Sequence, residues 1–196
     1  MQINKFEWSR QLFHIFLGIA IVILLVYGFL NKEIILIMIL AGIIVSYLSK
    51  KMHIPVILGL LQKFERKIDL EKFPGKGIIF YFIGVYISLL LFSREIAMAS
   101  IMVLAMGDSV SHIYGLHFGR IKHPLSKTKF IEGTIAGFIS GFIGSLVFLP
   151  WQEAFFSSLA AMVVEAIEIK IGTEQIDDNL IMPFVAGAAA LIVRMV

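Results

Sequence analysis

The chain has 196 residues, of which 59% are hydrophobic and 16% are charged, and its mean hydropathy is +0.91. Too few polar residues remain to cover the water-facing surface of a soluble domain, so the composition indicates an integral membrane protein. The sequence contains no cysteine, which excludes disulfides and thiolate chemistry. We expect a single integral membrane domain over residues 1–196.

Apolar stretches of about 20 residues predict an all-α, polytopic membrane helix bundle of about seven transmembrane helices. The first stretch is too long for the core of a signal peptide and lacks a small-residue cleavage site, so it is interpreted as a retained helix. The predicted spans are 12–30, 33–49, 77–93, 96–118, 132–149, 153–169 and 180–196.

The distribution of positive charge predicts the orientation in the membrane. Nearly all of the 17 lysines and arginines lie in the N-terminal segment or in alternate connections, at 50–76, 119–131 and 170–178. Because basic residues concentrate on the cytoplasmic side, the N-terminus and these connections are predicted to be cytoplasmic and the C-terminus outside, in the cell (plasma) membrane. The formal net charge of +3 arises at membrane faces, which favours anionic head groups or phosphates as partners and not nucleic acid.

Residues 55–72 combine apolar side chains at helical spacing with lysines, an arginine and acids between them. The segment is too short and too charged to cross a membrane. It is therefore predicted to be an amphipathic helix in the cytoplasmic interface.

The N-terminal helix carries Glu7, Arg10 and His14 on one face, because they are separated by three and four residues. One interpretation is a polar group aimed at phosphates or at a lipid hydroxyl. The other is a snorkelling arginine beside a histidine that bonds to a neighbouring helix.

The fourth predicted span contains Asp108, followed by Gly115 and Gly119. A carboxylate in the bilayer core costs about 2.5–3.5 kcal/mol, so a buried acid normally faces a polar cavity with a partner. An acid that can hold a metal, glycines that let the backbone approach a ligand, and the cations that follow are typical of a phosphate site. The alternative is an Asp–His pair that stabilises glycine-mediated helix contacts.

The connection 119–131, predicted to be a catalytic cytoplasmic loop, offers Arg120, Lys122 and Lys129 as phosphate-binding cations. Glu132 and Gly133 begin the next helix, where backbone N–H groups can also face an anion. The glycine ridge that continues along this helix allows close packing within one chain or between two copies, so a homo-oligomer is one arrangement that the sequence permits.

A second set of oxygen ligands follows the sixth span. Glu165 lies within apolar sequence, and Asp177, Asp178 and Asn179 lie in the predicted catalytic loop 170–179, on the same side as the basic loop. Hard oxygen ligands suit Mg²⁺, which takes one or two carboxylates plus substrate phosphates. An N-cap at 177–179 is the alternative, and both roles can hold together.

Taken together, these motifs resemble the polyprenol kinase family, which comprises dolichol kinases, phytol kinases and CTP-dependent diacylglycerol kinases. The resemblance covers most of the chain, and the motifs occur in the order typical of the family. The matching residues are Arg10, His14 and Gly18; Gly107, Asp108, Gly115, Gly119 and Arg120; Lys129, Glu132 and Gly133; and Glu165, Asp177, Asp178, Asn179 and Pro183.

The resemblance implies transfer of the γ-phosphoryl group of CTP to a membrane-embedded isoprenoid or glyceride alcohol, with Mg²⁺. The residues agree with this reaction type, because phosphoryl transfer needs mainly positioning and charge neutralisation. We expect Asp108 with Asp177, Asp178 and Asn179 at the metal, and Glu165, Asp108 or His14 at the lipid hydroxyl. The nucleotide phosphates are assigned to Arg10, Gly107, Gly115, Gly119, Arg120, Lys122, Lys129, Glu132 and Gly133.

Two other functions remain open. A CTP:lipid-phosphate cytidylyltransferase, which makes a CDP-lipid, shares the Gly-Asp start and the basic loop, but its further acidic signature is missing here. A non-enzymatic transporter of an anionic lipid or metabolite would use the same cations, and inverted repeats, which would support it, are not found.

Overall fold

The computed structural model describes residues 5–52, 59, 61, 65, 70, 72–167, 169–171 and 174–196. A six-residue π-helix, Val103–Asp108, joins α4 to α5, and two short antiparallel strands, β1 (Lys170–Ile171) and β2 (Glu174–Gln175), lie between α7 and α8. The α-helices of the described residues are α1 (Lys5–Val26), α2 (Lys32–Met52), α3 (Lys76–Leu91), α4 (Arg94–Met102), α5 (Ser109–Phe118), α6 (Ile131–Ser145), α7 (Trp151–Ile167) and α8 (Asp178–Met195).

The helical membrane architecture predicted from the sequence is confirmed. Among the described residues, four helical stretches are long and apolar enough to cross a membrane, namely Lys5–Val26, Lys32–Lys51, Arg94–Phe118 and Asp178–Met195. The helices α3, α6 and α7 occupy the other three predicted spans with only 16, 15 and 17 residues. A count of seven crossings therefore stays a prediction.

The structure does not test the predicted helix at 55–72, and it differs from the predicted loop at 170–179. Most of the predicted interfacial helix at 55–72 lies outside the described residues, so it also stays a prediction. The connection 170–179, predicted as a loop, contains the β1–β2 pair and the first turn of α8.

The stretch Arg94–Phe118 forms the centre of the bundle. In its most apolar window 67% of the residues are buried, against 22–28% in the other three long helices. Leu104 of the π-helix is fully buried, and it belongs to one hydrophobic core with Val85 of α3, Met162 of α7 and Met182 of α8. Because other helices enclose most of the central stretch, its buried polar residues Ser100, Ser109 and Ser111 face protein or a cavity and not lipid.

The glycine ridge of α6 packs against this central stretch within the same chain. A Cβ on Gly133 would lie 2.6 Å from the carbonyl oxygen of Ser111 and 3.0 Å from the Cα of Gly115. A Cβ on Gly137 would lie 2.7 Å from the carbonyl oxygen of Gly107. The two backbones can approach this closely because no side chain separates them.

The π-helix determines how Asp108 is presented. A π-helix is wider than an α-helix by about one residue per turn, so it shifts the helical register of the residues that follow it. Ser140 of α6 donates a hydrogen bond of 3.0 Å to the carbonyl oxygen of Met106, a backbone oxygen of the widened turns. On the other side, Gly18 of α1 leaves room for Ala105 and for the hydroxyl of Tyr81.

The helix α8 begins at an N-cap and contains a proline. Asp177 is the N-cap, and its carboxylate accepts a hydrogen bond of 3.1 Å from the backbone N–H of Asn179. Pro183 has no N–H to bond to the carbonyl oxygen of Asn179. The backbone of Gly84 on α3 packs against that oxygen and against Pro183. The helix α3 therefore lies close to the N-terminal part of α8.

Candidate active site

A cavity of about 640 Å³ lies where the N-terminal ends of α1, α3 and α8 meet the π-helix, α5, the end of α7 and the loop 119–130. The side chains that line it are mostly polar, although they are carried by apolar helices. They include Arg10, Gln11, His14, Lys76, Asp108, Ser111, His112, Thr128, Lys129, Glu165, Asp177, Asp178 and Asn179.

Three carboxylates converge in this cavity. One oxygen from each of Asp108, Glu165 and Asp178 lies within 4.8 Å of the other two. The π-helix carries the first, the last turn of α7 the second and the first turn of α8 the third. Residues that are far apart in the sequence therefore form one acidic cluster.

Lys129 is the cation of the acidic cluster. Its Nζ lies 2.8 Å from Glu165 Oε1 and 3.2 Å from Asp178 Oδ2, and it also donates to the carbonyl oxygen of Glu165. Burial favours the neutral amine, but the charges of Glu165 and Asp178 outweigh burial, so the pKa of Lys129 is raised. The ammonium is thus a fixed counter-charge for the two acids.

The chemistry of the acidic cluster fits a divalent cation. The Lys129 ammonium lies at ion-pair distance from Glu165 and Asp178, so one cation serves a cluster of three carboxylates and negative charge is left to be compensated. Glu165 Oε2 is buried and has no hydrogen-bond partner among the described residues. Such an oxygen is costly unless a proton donor or a metal reaches it, and carboxylate oxygens are the ligands that Mg²⁺ prefers.

The predicted metal ligands fall into two groups. Asp108 and Asp178 belong to the acidic cluster, where Glu165, predicted to act on the lipid hydroxyl, is the third member. Asp177 and Asn179 line the cavity but form the start of α8, which confirms the N-cap alternative. Burial raises the pKa of Asp177, partly offset by the hydrogen bond from the Asn179 backbone and by the charge of Lys76.

The N-terminal part of α1 brings Arg10 to the rim of the cavity. The guanidinium binds Glu7 through Nε at 3.1 Å and Nη2 at 2.9 Å. The same carboxylate oxygen lies 3.0 Å from Nε2 of His112 on α5. The predicted polar face of α1 therefore fastens α1 to α5 and holds Arg10 at the same time.

His14 lies deeper in the cavity than Arg10. Its Nε2 is 3.9 Å from Asp108 Oδ2, is buried, and has no hydrogen-bond partner among the described residues. The ring of Tyr81 stands edge-on to the imidazole, with the ring centroids 4.6 Å apart. The imidazole is thus held in place by packing, while Nε2 keeps the capacity for a hydrogen bond.

Six of the predicted site residues do not line the cavity: Gly107, Gly119, Arg120, Lys122, Glu132 and Gly133. The glycines serve close helix and loop packing. Arg120 and Lys122 are exposed, and the Lys122 ammonium lies 3.9 Å from the centroid of the Phe130 ring. The carboxylate of Glu132 accepts from the backbone N–H groups of Arg120 and Ile121, so it fixes the loop.

Lys76 was not identified as a site residue from the sequence. This lysine was used there only as one of the basic residues that predict the orientation in the membrane. It lines the cavity at the start of α3, between Gly75 and Gly77. The buried carboxylate of Glu65 accepts hydrogen bonds from both glycines, at 2.8 Å and 3.2 Å, and so holds the turn. The sequence signal that could have identified Lys76 as a site residue is a cation between two glycines at the start of a predicted span. Gln11, Ser111, His112 and Thr128 also line the cavity without having been predicted as site residues.

Comparison with known proteins gives an uncharacterized archaeal protein, phytol kinases and a CTP-dependent diacylglycerol kinase as relatives. An uncharacterized protein of Methanocaldococcus jannaschii is 33% identical over 92% of this chain and 91% of its own length. Phytol kinase 1 of Arabidopsis thaliana is 33% identical over 59% of this chain, and CTP-dependent diacylglycerol kinase 1 of Schizosaccharomyces pombe is 28% identical over 60%. The named relatives support a polyprenol- or lipid-kinase-like family for this chain.

The matches with the named kinases are partial. The chain spans 42% of the length of the Arabidopsis phytol kinase and 60% of the yeast diacylglycerol kinase. No family model and no solved structure matches the chain.

Proposed function

We propose that this protein transfers the γ-phosphoryl group of CTP to the hydroxyl group of a membrane lipid alcohol. The acceptor is of the polyprenol or dolichol type, a related isoprenoid, or a diacylglycerol. The observation that carries the proposal is the convergence of Asp108, Glu165 and Asp178 around Lys129, in a cavity at the end of apolar helices. A transferable phosphate and a lipid hydroxyl can meet in such a cavity.

The acidic cluster suits a phosphoryl transfer that depends on positioning and charge. Asp108, Glu165 and Asp178 would hold Mg²⁺, which when bound neutralises phosphate charge. Lys129 holds Glu165 and Asp178 together, because its ammonium is bonded to both α7 and α8.

The phosphates need cations that are not already engaged by the acidic cluster. Lys76 lines the cavity and forms no ion pair with the residues that the structure describes, apart from its longer-range effect on Asp177. Arg10 also lines the cavity and presents a guanidinium whose remaining N–H groups can bind a phosphate oxygen. We assign the polyphosphate to Lys76 and Arg10.

The lipid hydroxyl is assigned to His14 and Asp108. Nε2 of His14 and Oδ2 of Asp108 are 3.9 Å apart, close enough for one hydroxyl group to contact both. Glu165 is less suited to accept the proton, because its Oε1 is already bonded to Lys129. We assign the reaction to the cytoplasmic face of the cell membrane, and the positions of lysine and arginine in the sequence support this assignment.

Isotope transfer tests the proposal. The protein, purified in detergent, is given γ-labelled CTP, Mg²⁺ and separately phytol, geranylgeraniol, a dolichol or diacylglycerol. A labelled lipid phosphate is the expected product, and excess unlabelled CTP should suppress it more strongly than excess ATP. A parallel reaction contains α-labelled CTP and a lipid phosphate, and a labelled CDP-lipid there, without γ-label transfer, would replace the kinase with a cytidylyltransferase.

A further inference from the structure

The loop between α5 and α6 presents cations beside exposed apolar side chains. Arg120, Lys122 and Lys127 are exposed, and Ile121 and Leu125 are 60% and 54% exposed. We call these five residues the outer face of the loop. None of them lines the cavity.

The outer face belongs to a folded loop. Buried Ser126 accepts hydrogen bonds from the backbone N–H groups of Thr128 and Lys129, at 3.1 Å and 3.0 Å. The N–H of His123 donates to the carbonyl oxygen of Lys129 at 3.0 Å, and residues 122 and 130 form an antiparallel bridge. The loop therefore holds its apolar side chains outward while its own backbone is well bonded.

The outer face lies next to the membrane boundary. The long apolar stretch Arg94–Phe118 ends two residues before Arg120, and Phe118 itself is 61% exposed. The next apolar helix starts at Ile131. When Arg94–Phe118 crosses a membrane, exposed apolar side chains at this level lie at the height of the lipid head groups.

We propose that the outer face docks on the membrane surface and binds anionic lipid head groups. Ile121 and Leu125 enter the head-group region, and the three cations bind head-group phosphates. Apolar side chains interleaved with cations are the combination by which interfacial segments bind anionic membranes. The nucleotide is a poorer partner for these cations, since they lie outside the cavity that contains the acidic cluster.

The outer face is connected to the cavity through the same loop. The Lys122 ammonium stacks on the ring of Phe130, and Phe130 and Lys129 both line the cavity. Docking of the loop on anionic lipid therefore fixes the strand of backbone that carries the counter-charge of the acidic cluster. We therefore expect a higher kinase activity in anionic membranes than in neutral ones. This consequence alone rests on the proposed function.

The absence of cysteine from the sequence allows a site-specific test. Leu125→Cys is labelled with a polarity-sensitive dye and placed in nanodiscs of phosphatidylcholine with increasing phosphatidylglycerol. We expect a blue shift that grows with the phosphatidylglycerol fraction and decreases in about 1 M salt, where the Debye length is about 3 Å. The control position is Val147, which is 71% exposed and lies near the other end of α6. The same dye on Val147→Cys should not respond to the lipid charge.

Charge variants make the test specific. In the labelled background, R120Q/K122Q/K127Q should lose the dependence on phosphatidylglycerol, whereas R120K/K122R/K127R should keep it. A dye emission wavelength that does not change with the phosphatidylglycerol fraction, or that changes on addition of CTP instead, would overturn the proposal. The emission requires no turnover, so an inactive protein with a normal blue shift would count against the kinase and not against the docking surface.

Discussion

Lys129 Nζ lies 2.8 Å from Glu165 Oε1, in a pair whose side chains are only 20% and 4% exposed. The carboxylate is therefore bonded to a cation that comes from a loop 36 residues earlier in the chain. Since the same ammonium also reaches Asp178, this contact ties the loop, the end of α7 and the start of α8 together. The geometry of the acidic cluster depends on it.

Replacing Lys129 by Met should destabilise the protein and abolish activity. The change leaves the buried carboxylate of Glu165 without its cation, at a cost of about 3–5 kcal/mol. This corresponds to a fall in Tm on the order of 10 °C for a chain of this size. The double variant K129M/E165Q should recover part of the Tm but no activity, and exposed Lys32→Met is the control. Equal Tm values for Lys129→Met and the wild type would contradict the buried pair.

Lys76→Gln should weaken nucleotide use with little effect on folding. Loss of one charge-assisted bond to a phosphate costs about 1.5–3 kcal/mol, so the KM for CTP should rise roughly tenfold or more. The matched control is Lys72→Gln, an exposed lysine four residues earlier. An unchanged KM for CTP in Lys76→Gln, with an active wild type, would remove Lys76 from the phosphate site.

Gly133→Ala should separate α6 from α5. The added Cβ would lie 2.6 Å from the Ser111 carbonyl oxygen, so backbone must move, and overpacking of this kind costs about 1–3 kcal/mol. Alanine has the higher helix propensity, so a fall in Tm would identify the close contact as the cause. Ile135 lies on the same helix and is 54% exposed, so Ile135→Ala should leave Tm nearly unchanged. A Gly133→Ala variant as stable as the wild type would be inconsistent with the packing described.

Arg194→Gln should lower stability without changing substrate affinity. At the end of the bundle opposite the cavity, this guanidinium binds Glu153 through Nε at 3.1 Å and Nη2 at 2.7 Å. Loss of these bonds leaves Glu153 unpaired at a cost of about 1–3 kcal/mol. Thermal unfolding in detergent measures the loss, and E153Q/R194Q should be less destabilised than the sum of the single variants. A changed KM for CTP would show that the two ends are coupled, contrary to expectation.

Sequence reasoning located most of the helices and the acidic residues of the cavity. Isolated acids in apolar sequence, such as Asp108 and Glu165, are costly in a membrane and therefore predict a polar cavity. Arg120 and Lys122 were predicted as phosphate-binding cations but do not line the cavity, because the sequence of a basic loop does not reveal which cations face inward. In the structure Lys129 lines the cavity whereas Arg120, Lys122 and Lys127 do not, and the backbone hydrogen bonds to Ser126 fix this part of the loop.

The π-helix and the role of Lys76 had weaker signals. The widened turns at Val103–Asp108 depend on contacts with α6, where glycines and Ser140 approach the backbone, and no local pattern in 103–108 predicts them. The position of Lys76 depends on the hydrogen bonds from Gly75 and Gly77 to Glu65, which lies ten residues before Gly75. Tertiary contacts of this kind leave no periodic pattern in the sequence.

The most direct measurement compares the wild type with Asp108→Asn in the transfer of γ-label from CTP to a lipid alcohol. Asparagine keeps the size of the side chain but removes the charge from the acidic cluster. The proposed function predicts labelled lipid phosphate from the wild type and a rate at least about a hundredfold lower from Asp108→Asn. Glu95→Gln, an exposed acid at the opposite end of the bundle, should retain the wild-type rate. Equal rates for Asp108→Asn and the wild type would contradict the assignment of the reaction to this cavity.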